Sequence, residues 1–230
     1  MSPPLALFDL DHTLLSGDSD LLWCDFLVGR GLLGPDFAAR NQALAEAYQA
    51  GTVGAVEFCT FYAGTLAGRS PAEWQPLRQA FLDEVLRPRL PASARALVAQ
   101  HRAQGHRLLL TSATNRVLVE PSAAELGFAE LLATELAVDA EGRFTGALRG
   151  TPNMREGKVS RLRAWLVGQG LAPEAALAQA WFYSDSINDL PLLAAVGHPV
   201  AVDPDARLAR EARLRGWPVL RLDRAVNPPA

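Results

Sequence analysis

Apolar residues follow one rhythm along the first ninety positions and another after them, with Pro91 near the change. The chain starts with a short apolar run, Leu5-Ala6-Leu7-Phe8 and Leu10, set off by Pro3-Pro4. Such a run predicts a buried strand over 5–10. From about Asp18 to Leu90 the pattern is helical. Leu21, Leu22, Phe26 and Leu27 recur at helical spacing up to Gly29-Arg30-Gly31, and a second helix follows Gly34-Pro35-Asp36 over 38–50. A third follows Gly51-Thr52 over 52–62. Ser70-Pro71-Ala72-Glu73 is a capping box with proline in the first helical position, so a fourth helix starts there.

Past Pro91, helix and strand alternate. Expected helices cover 93–104 (stopped by Gly105), 115–126 (closed by Gly127), 156–167, 190–195 and an arginine-rich stretch over 207–215. Expected strands cover 107–110, running into Thr111-Ser112, then 180–183, 199–202 and 219–222. A hairpin is expected within 134–150 around Asp139-Ala140-Glu141-Gly142. Such alternation predicts an α/β fold whose parallel sheet is covered on both faces. Residues 1–16 and 89–230 would form that core. Residues 17–88 would be a helical insert over the carboxyl edge of the sheet, with Gly17 and the 88–91 stretch as hinges.

Composition narrows the possibilities. The 230 residues are 49% hydrophobic and 20% charged, ordinary for a soluble globular protein. A net charge of −3 gives no case for a nucleic-acid partner. The arginines Arg207, Arg210, Arg213 and Arg215 fit a solvated helix face. Cys24 and Cys59 lie in apolar surroundings and are expected as free buried thiols, and no Cys/His cluster suggests zinc. Neither a signal peptide nor an apolar run of membrane length is visible, so a cytoplasmic location is the default expectation.

The chemistry gathers at three strand ends. The first delivers Asp9 and Asp11, the second Ser112 with Thr111, Thr114 and Asn115, and the third Ser184-Asp185-Ser186-Ile187-Asn188-Asp189. Ligands bind along this edge in open α/β sheets. Four carboxylates in one crevice repel one another, and an all-oxygen donor set suits Mg²⁺, whose usual task in proteins is to handle phosphate.

Asp9-Leu10-Asp11-His12-Thr13, Ser112, Lys158 in Arg155-Glu156-Gly157-Lys158, and Asp185 with Asp189, in this order, resemble the four motifs of the haloacid dehalogenase superfamily of phosphohydrolases. The resemblance covers nearly the whole chain. It implies a Rossmann-like three-layer core and a Mg²⁺-dependent phosphatase acting on a small phosphorylated metabolite. Asp9 would be the nucleophile that forms an aspartyl phosphate, and Asp11 the general acid and base. Ser112 would hold the phosphoryl oxygens and Lys158 would neutralise both Asp9 and the phosphate. Metal ligation is implied for Asp9, Asp185 and the main-chain carbonyl of Asp11, with Asp189 orienting a metal-bound water or Lys158. His12 is a loop residue beside the site.

The insert resembles the cap of the phosphoserine-phosphatase-like branch. There an acidic residue nine positions after the nucleophile, here Asp18, meets the substrate's amino group; capping the helix at Leu21 is the alternative role for Asp18. Asn115 and Asn188 are candidates for substrate contact, and Ser112, Asn115 and Asn188 are each suited to starting a helix as well. The third helix has no arginine to grip a substrate carboxylate, with Arg69 just beyond as a substitute. That absence, with the Thr111-Ser112-Ala113-Thr114-Asn115 loop, favours an amino-alcohol phosphate such as histidinol phosphate over phosphoserine. Asp11 argues against a true dehalogenase. A phosphomutase or a non-catalytic module on the same fold is the remaining alternative, and the sequence leaves the oligomeric state open.

Overall fold

The computed structural model describes residues 3–49 and 52–224, the Gln49 side chain excepted. The expected end of the second helix at Ala50 falls outside them. In chain order the elements are β1 (Leu5–Phe8), α1 (Ser19–Gly29), α2 (Asp36–Gln49), α3 (Ala55–Gly64), α4 (Pro71–Phe81), α5 (Ala92–Ala103), β2 (Arg107–Asn115), α6 (Arg116–Glu125), β3 (Glu130–Thr134), β4 (Leu136–Val138), β5 (Phe144–Leu148), α7 (Glu156–Gly168), α8 (Pro173–Leu177), β6 (Trp181–Ser184), α9 (Leu190–Leu193), β7 (His198–Val202), α10 (Ala206–Arg215) and β8 (Val219–Leu220). Six strands form a parallel sheet in the order β3-β2-β1-β6-β7-β8, and β4 and β5 form an antiparallel hairpin.

Strand alternation divides the interior in two. In β1, Ala6 and Phe8 join a core with α1, the α4 region, α5 and α6 on one face. Leu5 and Leu7 join a second core with α7, α8, α9 and α10 on the other. All four residues are buried, as expected of a central parallel strand covered on both sides. The three-layer arrangement is therefore present. Two elements were not anticipated. The edge strand β3 was absent from the reading of 128–133, because Glu-Leu-Leu-Ala suits a helix as well as a strand. The five-residue helix α8 is too short to show a period.

Helices α1–α4 occupy the segment between β1 and α5, and they have their own aromatic centre. Trp23 packs edge-on to Phe81 and Trp74, with centroids 5.1 and 5.6 Å apart. Both indole N–H groups are satisfied, Trp23 by Thr65 Oγ1 and Trp74 by the Leu66 carbonyl. The Ser70–Glu73 capping box forms as expected. After α4 the chain widens into a π turn at Leu82–Leu86 and tightens again at Arg87–Arg89. The two crossings into the insert touch, since Ser16 N donates to the Arg89 carbonyl at 2.8 Å. The hairpin holds the insert from the other side, with Phe144 and the Gly68–Arg69 backbone exchanging hydrogen bonds at 2.8 and 2.9 Å. Arg69 stacks over Trp74, 4.7 Å from the ring centroid. Cys24 and Cys59 are free and buried. Among the described residues no helix is long and apolar enough to cross a membrane.

Beneath the sheet, His101 is buried against Phe8 and Tyr183. Its Nε2 lies 2.7 Å from Tyr183 Oη and its Nδ1 2.7 Å from His106 Nδ1. Burial, with His106 beside it, pushes the His101 pKa from 6.5 down to about 4. The native state thus keeps a neutral ring while the unfolded chain takes up a proton below about pH 6.5, so stability falls with pH between these values. Urea unfolding of the wild type at pH 7 and pH 5 is expected to show this loss, and His101→Gln should lose about 2 kcal/mol less over the same interval. Equal losses in the two proteins would refute the assignment.

Candidate active site

Parallel pairing brings the ends of β1, β2 and β6 to one place. Asp9 follows β1 directly, and its N–H continues the ladder to the Tyr183 carbonyl at 2.9 Å. Asp9 is 6% exposed and Lys158 2%. Lys158 Nζ donates to Asp9 Oδ1 and to Asp189 Oδ2, each at 2.7 Å. Ser184 Oγ donates to the same Asp189 oxygen at 2.7 Å. Thr13 Oγ1 lies 3.2 Å from Asp9 Oδ2 and 3.0 Å from Asp185 Oδ1, and it accepts the Asp185 N–H. One hydroxyl therefore links the first and third strand ends.

Asp11 turns the other way. Its Oδ1 accepts the Ser19 N–H at 2.7 Å, and its Oδ2 lies 3.0 Å from Thr114 Oγ1 and 3.3 Å from Ser112 Oγ. These two β2 residues fall where the pairing with β3 shifts between Thr111 and Asn115. Asn153 fixes this irregular stretch, with its side-chain nitrogen donating toward Thr111 Oγ1 and the Ser112 and Leu132 carbonyls.

Lys158 is delivered by a tight entry into α7. Arg155 precedes the helix with φ +52° and ψ −125°, a conformation that costs about 1–3 kcal/mol for a residue with a side chain. A Cβ on Gly157 would stand 2.2 Å from the Pro152 carbonyl oxygen, so only glycine fits there. Arg155 Nε donates to Asn188 Oδ1 at 3.3 Å, and its guanidinium lies 4.9 Å from the centre of the Tyr48 ring.

Charge balance in this cluster is set by burial. Burial pushes Asp9 upward, Lys158 opposes it, and Asp189, Asp185 and Asp11 add to the rise. Burial likewise takes Asp185 up to about 7 against the lowering effects of His12 and Thr13. Burial disfavours the Lys158 ammonium, yet Asp189 and Asp9 outweigh it and hold the group above its ordinary value. Asp18 rises to about 6 through burial and the nearby Asp11, despite the Leu21 N–H it accepts. Such a set gains from a hard cation. Among the described residues no three acidic, histidine or cysteine side chains converge closely enough to hold one alone. Asp9 and Asp185, which share the Thr13 hydroxyl, are oxygen donors of the kind that Mg²⁺ takes together with waters.

A cavity of about 730 Å³ opens over these groups. Asp9, Asp11, His12, Lys158, Asp185, Asn188 and Asp189 line it from the core, while Asp18, Asp20, Tyr48, Phe58 and Tyr62 line it from the insert. The family model for haloacid dehalogenase-like hydrolases matches residues 6–194. The chain belongs to that family. The hydrolase is 39% identical over 217 residues to a histidinol-phosphatase of Neisseria meningitidis, covering 94% of this chain and 97% of the relative. It is 33% identical over 223 residues to a phosphoserine phosphatase of Mycobacterium tuberculosis, covering 93% of this chain and 69% of the relative. A solved Bordetella pertussis protein of unknown function superposes with a TM-score of 0.90 at 44% identity, covering 96% of this chain and 99% of that one.

Most of the residues singled out in the hydrolase's sequence meet at this cavity. Asp18 both lines it and caps α1, accepting the Leu21 N–H at 3.0 Å. Ser112 is fully buried against Asp11. Asn115 does not line the cavity; it caps α6 by accepting the Leu118 N–H at 3.3 Å. The sequence reading gave no role to Thr13, Ser184, Asn153, Arg155 or the ring-bearing wall. Thr13 stood inside the first motif and was the one detectable signal among them.

Replacing Lys158 with Met leaves Asp9 and Asp189 facing each other without a counter-charge. Urea denaturation is expected to show a loss of about 3–5 kcal/mol, the usual cost of stranding a buried charge. Adding Asp189→Asn should recover part of it; a double variant no more stable than Lys158→Met would contradict the pairing.

Proposed function

We propose that this hydrolase cleaves small phosphomonoesters with Mg²⁺, through an aspartyl phosphate on Asp9, and that its substrate is an amino-alcohol phosphate of the histidinol phosphate kind. Asp9, set by Lys158 and Thr13, presents a carboxylate oxygen to phosphorus and splits hydrolysis into two displacements. Asp11, oriented by Ser19 N–H and Thr114, gives its proton to the leaving alkoxide and then takes one from the attacking water. Lys158 and Ser112 hold charge on the phosphoryl oxygens, with Asn188 as a further donor at the rim. Asp9, Asp185 and the Asp11 carbonyl would hold the metal, and Asp189 stands behind them as the second partner of Lys158. When bound, Mg²⁺ acts as a Lewis acid on the phosphoryl group. Residues 17–88 serve as the cap over this chemistry. The reducing cytoplasm fits the two free thiols.

The choice of substrate rests on one observation: the side chains that the insert contributes to the cavity include carboxylates and rings but no basic group. A cationic substrate end fits that wall, whereas a substrate carboxylate does not. The relatives named histidinol-phosphatase and phosphoserine phosphatase bracket the choice. Phosphoserine keeps one argument in its favour, since Arg207 of the core lines the same cavity.

Phosphate release from histidinol, serine, ethanolamine and sugar phosphates, with and without Mg²⁺, tests the reading. Release should need the metal, fall to background in Asp9→Asn and drop about 10²–10⁴-fold in Asp11→Asn. Histidinol phosphate should lead the panel. Serine phosphate in first place would overturn the substrate assignment, and metal-independent release would overturn the mechanism.

A further inference from the structure

Asp20 has no part in the phosphoryl-transfer scheme, yet it is 5% exposed and lines the reaction cavity. Its Oδ2 lies 3.0 Å from Thr114 Oγ1, while its Oδ1 is buried and meets no hydrogen-bond partner among the described residues. The Thr114 hydroxyl is also 3.0 Å from Asp11 Oδ2 and has a single proton to give. One donor thus serves two carboxylates, and an oxygen of Asp20 is left over. A buried carboxylate in that state is costly unless something else supplies an N–H or O–H.

The surroundings indicate what supplies it. Asp18 is close enough to raise the Asp20 carboxyl, after burial, which is the larger cause. Tyr48, Phe58 and Tyr62 continue the same wall, with Tyr48–Phe58 and Phe58–Tyr62 centroids 4.3 and 5.0 Å apart. The Tyr48 and Tyr62 hydroxyls are already engaged, on Met154 Sδ and Asn41 Oδ1. The Tyr48 ring already meets the Arg155 guanidinium at 4.9 Å, so the π surfaces left to a ligand are chiefly those of Phe58 and Tyr62, which attract cations and stack on flat groups.

We propose that Asp20, with the rings of Phe58 and Tyr62, forms the recess for a nitrogen-bearing cationic group at the far end of the substrate from its phosphate, with the Asp20 carboxylate accepting its N–H. This deepens, and rests on, the phosphomonoesterase reading of the same cavity. Asp18 and Asp20 together provide for two nitrogen donors, so the substrate class is a phosphomonoester carrying both an amine and a second N–H group, such as an imidazole. A substrate with one amine alone leaves Asp20 unfilled.

The test compares histidinol phosphate with phenyl phosphate, an aromatic ester with no cationic group, in the wild type and in Asp20→Asn, with phosphate-free histidinol as a competitive inhibitor of phenyl phosphate turnover. In Asp20→Asn the ratio of the two kcat/KM values should shift at least tenfold against histidinol phosphate, and the inhibition constant of histidinol should rise by a similar factor. Losses equal for both esters, or an unchanged inhibition constant, would reduce Asp20 to a structural acid and overturn the proposal. If Asp20→Asn does not fold, Phe58→Leu carries the test: it should weaken histidinol inhibition several-fold, and no change would overturn the recess. A wild type that turns over phenyl phosphate but is indifferent to histidinol refutes the recess and leaves the phosphatase standing. Release of phosphate from no ester refutes the phosphatase itself.

Discussion

The ammonium of Lys158 is what lets this edge of the sheet exist. Asp9, the proposed nucleophile, is buried among Asp11, Asp185 and Asp189. One cation, held at 2.7 Å from both Asp9 and Asp189, offsets that repulsion from within the protein. Burying three charges together brings little net stability, since desolvation consumes most of the Coulombic gain. The arrangement therefore makes sense as chemistry rather than as a fold stabiliser. Its supports follow the same logic: a strained Arg155, a glycine at 157 that no other residue can replace, and Ser184 turning Asp189 toward the ammonium all fix where one side chain ends.

Much of the architecture was legible because its signals are local. The central strand is a short apolar run with carboxylates at its end, and β2, β6 and β7 are each followed by a helix. The edge strand β3 was not legible, since Leu131 to Ala133 carry no period and β3 pairs with one neighbour only, along a bulged strand. The tertiary pairing decides that segment, not its intrinsic preference. Strand β2 likewise extends past its expected end, to Asn115, because Asn153 from a distant loop binds the irregular stretch together.

In the site, the order of acidic and basic residues relative to strand and helix ends carries the sequence reading: Asp9, Asp11 and Asp185 follow strand ends, and Lys158 stands in the first turn of α7. The recess was not readable. Asp18, Ser19 and Asp20 all resemble helix caps, and only the fold shows that Asp18 is the cap while Asp20 turns into the cavity wall. Tyr48, Phe58 and Tyr62 recur as core faces of two helices, and nothing local tells that α2 and α3 lean over a strand edge more than a hundred residues away in pairing. Asn115 shows the reverse error: a polar residue at a strand end suggested a ligand contact, but the first free amides of α6 claim it.

One turn of helix joins the proposed recess to the proposed proton-transfer group. Three successive residues at the start of α1 divide the work: Asp18 caps the helix at the cavity, the Ser19 N–H holds Asp11 Oδ1 at 2.7 Å, and Asp20 shares Thr114 with Asp11. Asp11, the proposed acid–base carboxylate, belongs to the core, but one of its oxygens is held by the insert. A displacement of α1 by the length of a hydrogen bond removes that hold, and the same displacement dissolves the wall that would meet a substrate's nitrogen. Under the proposed roles, substrate fit and the orientation of Asp11 become a single geometric condition, since both depend on this turn sitting against Thr114. On that scheme the insert selects substrates through the alignment of the acid as well as through affinity, because an ester that leaves the turn out of place also leaves Asp11 misdirected.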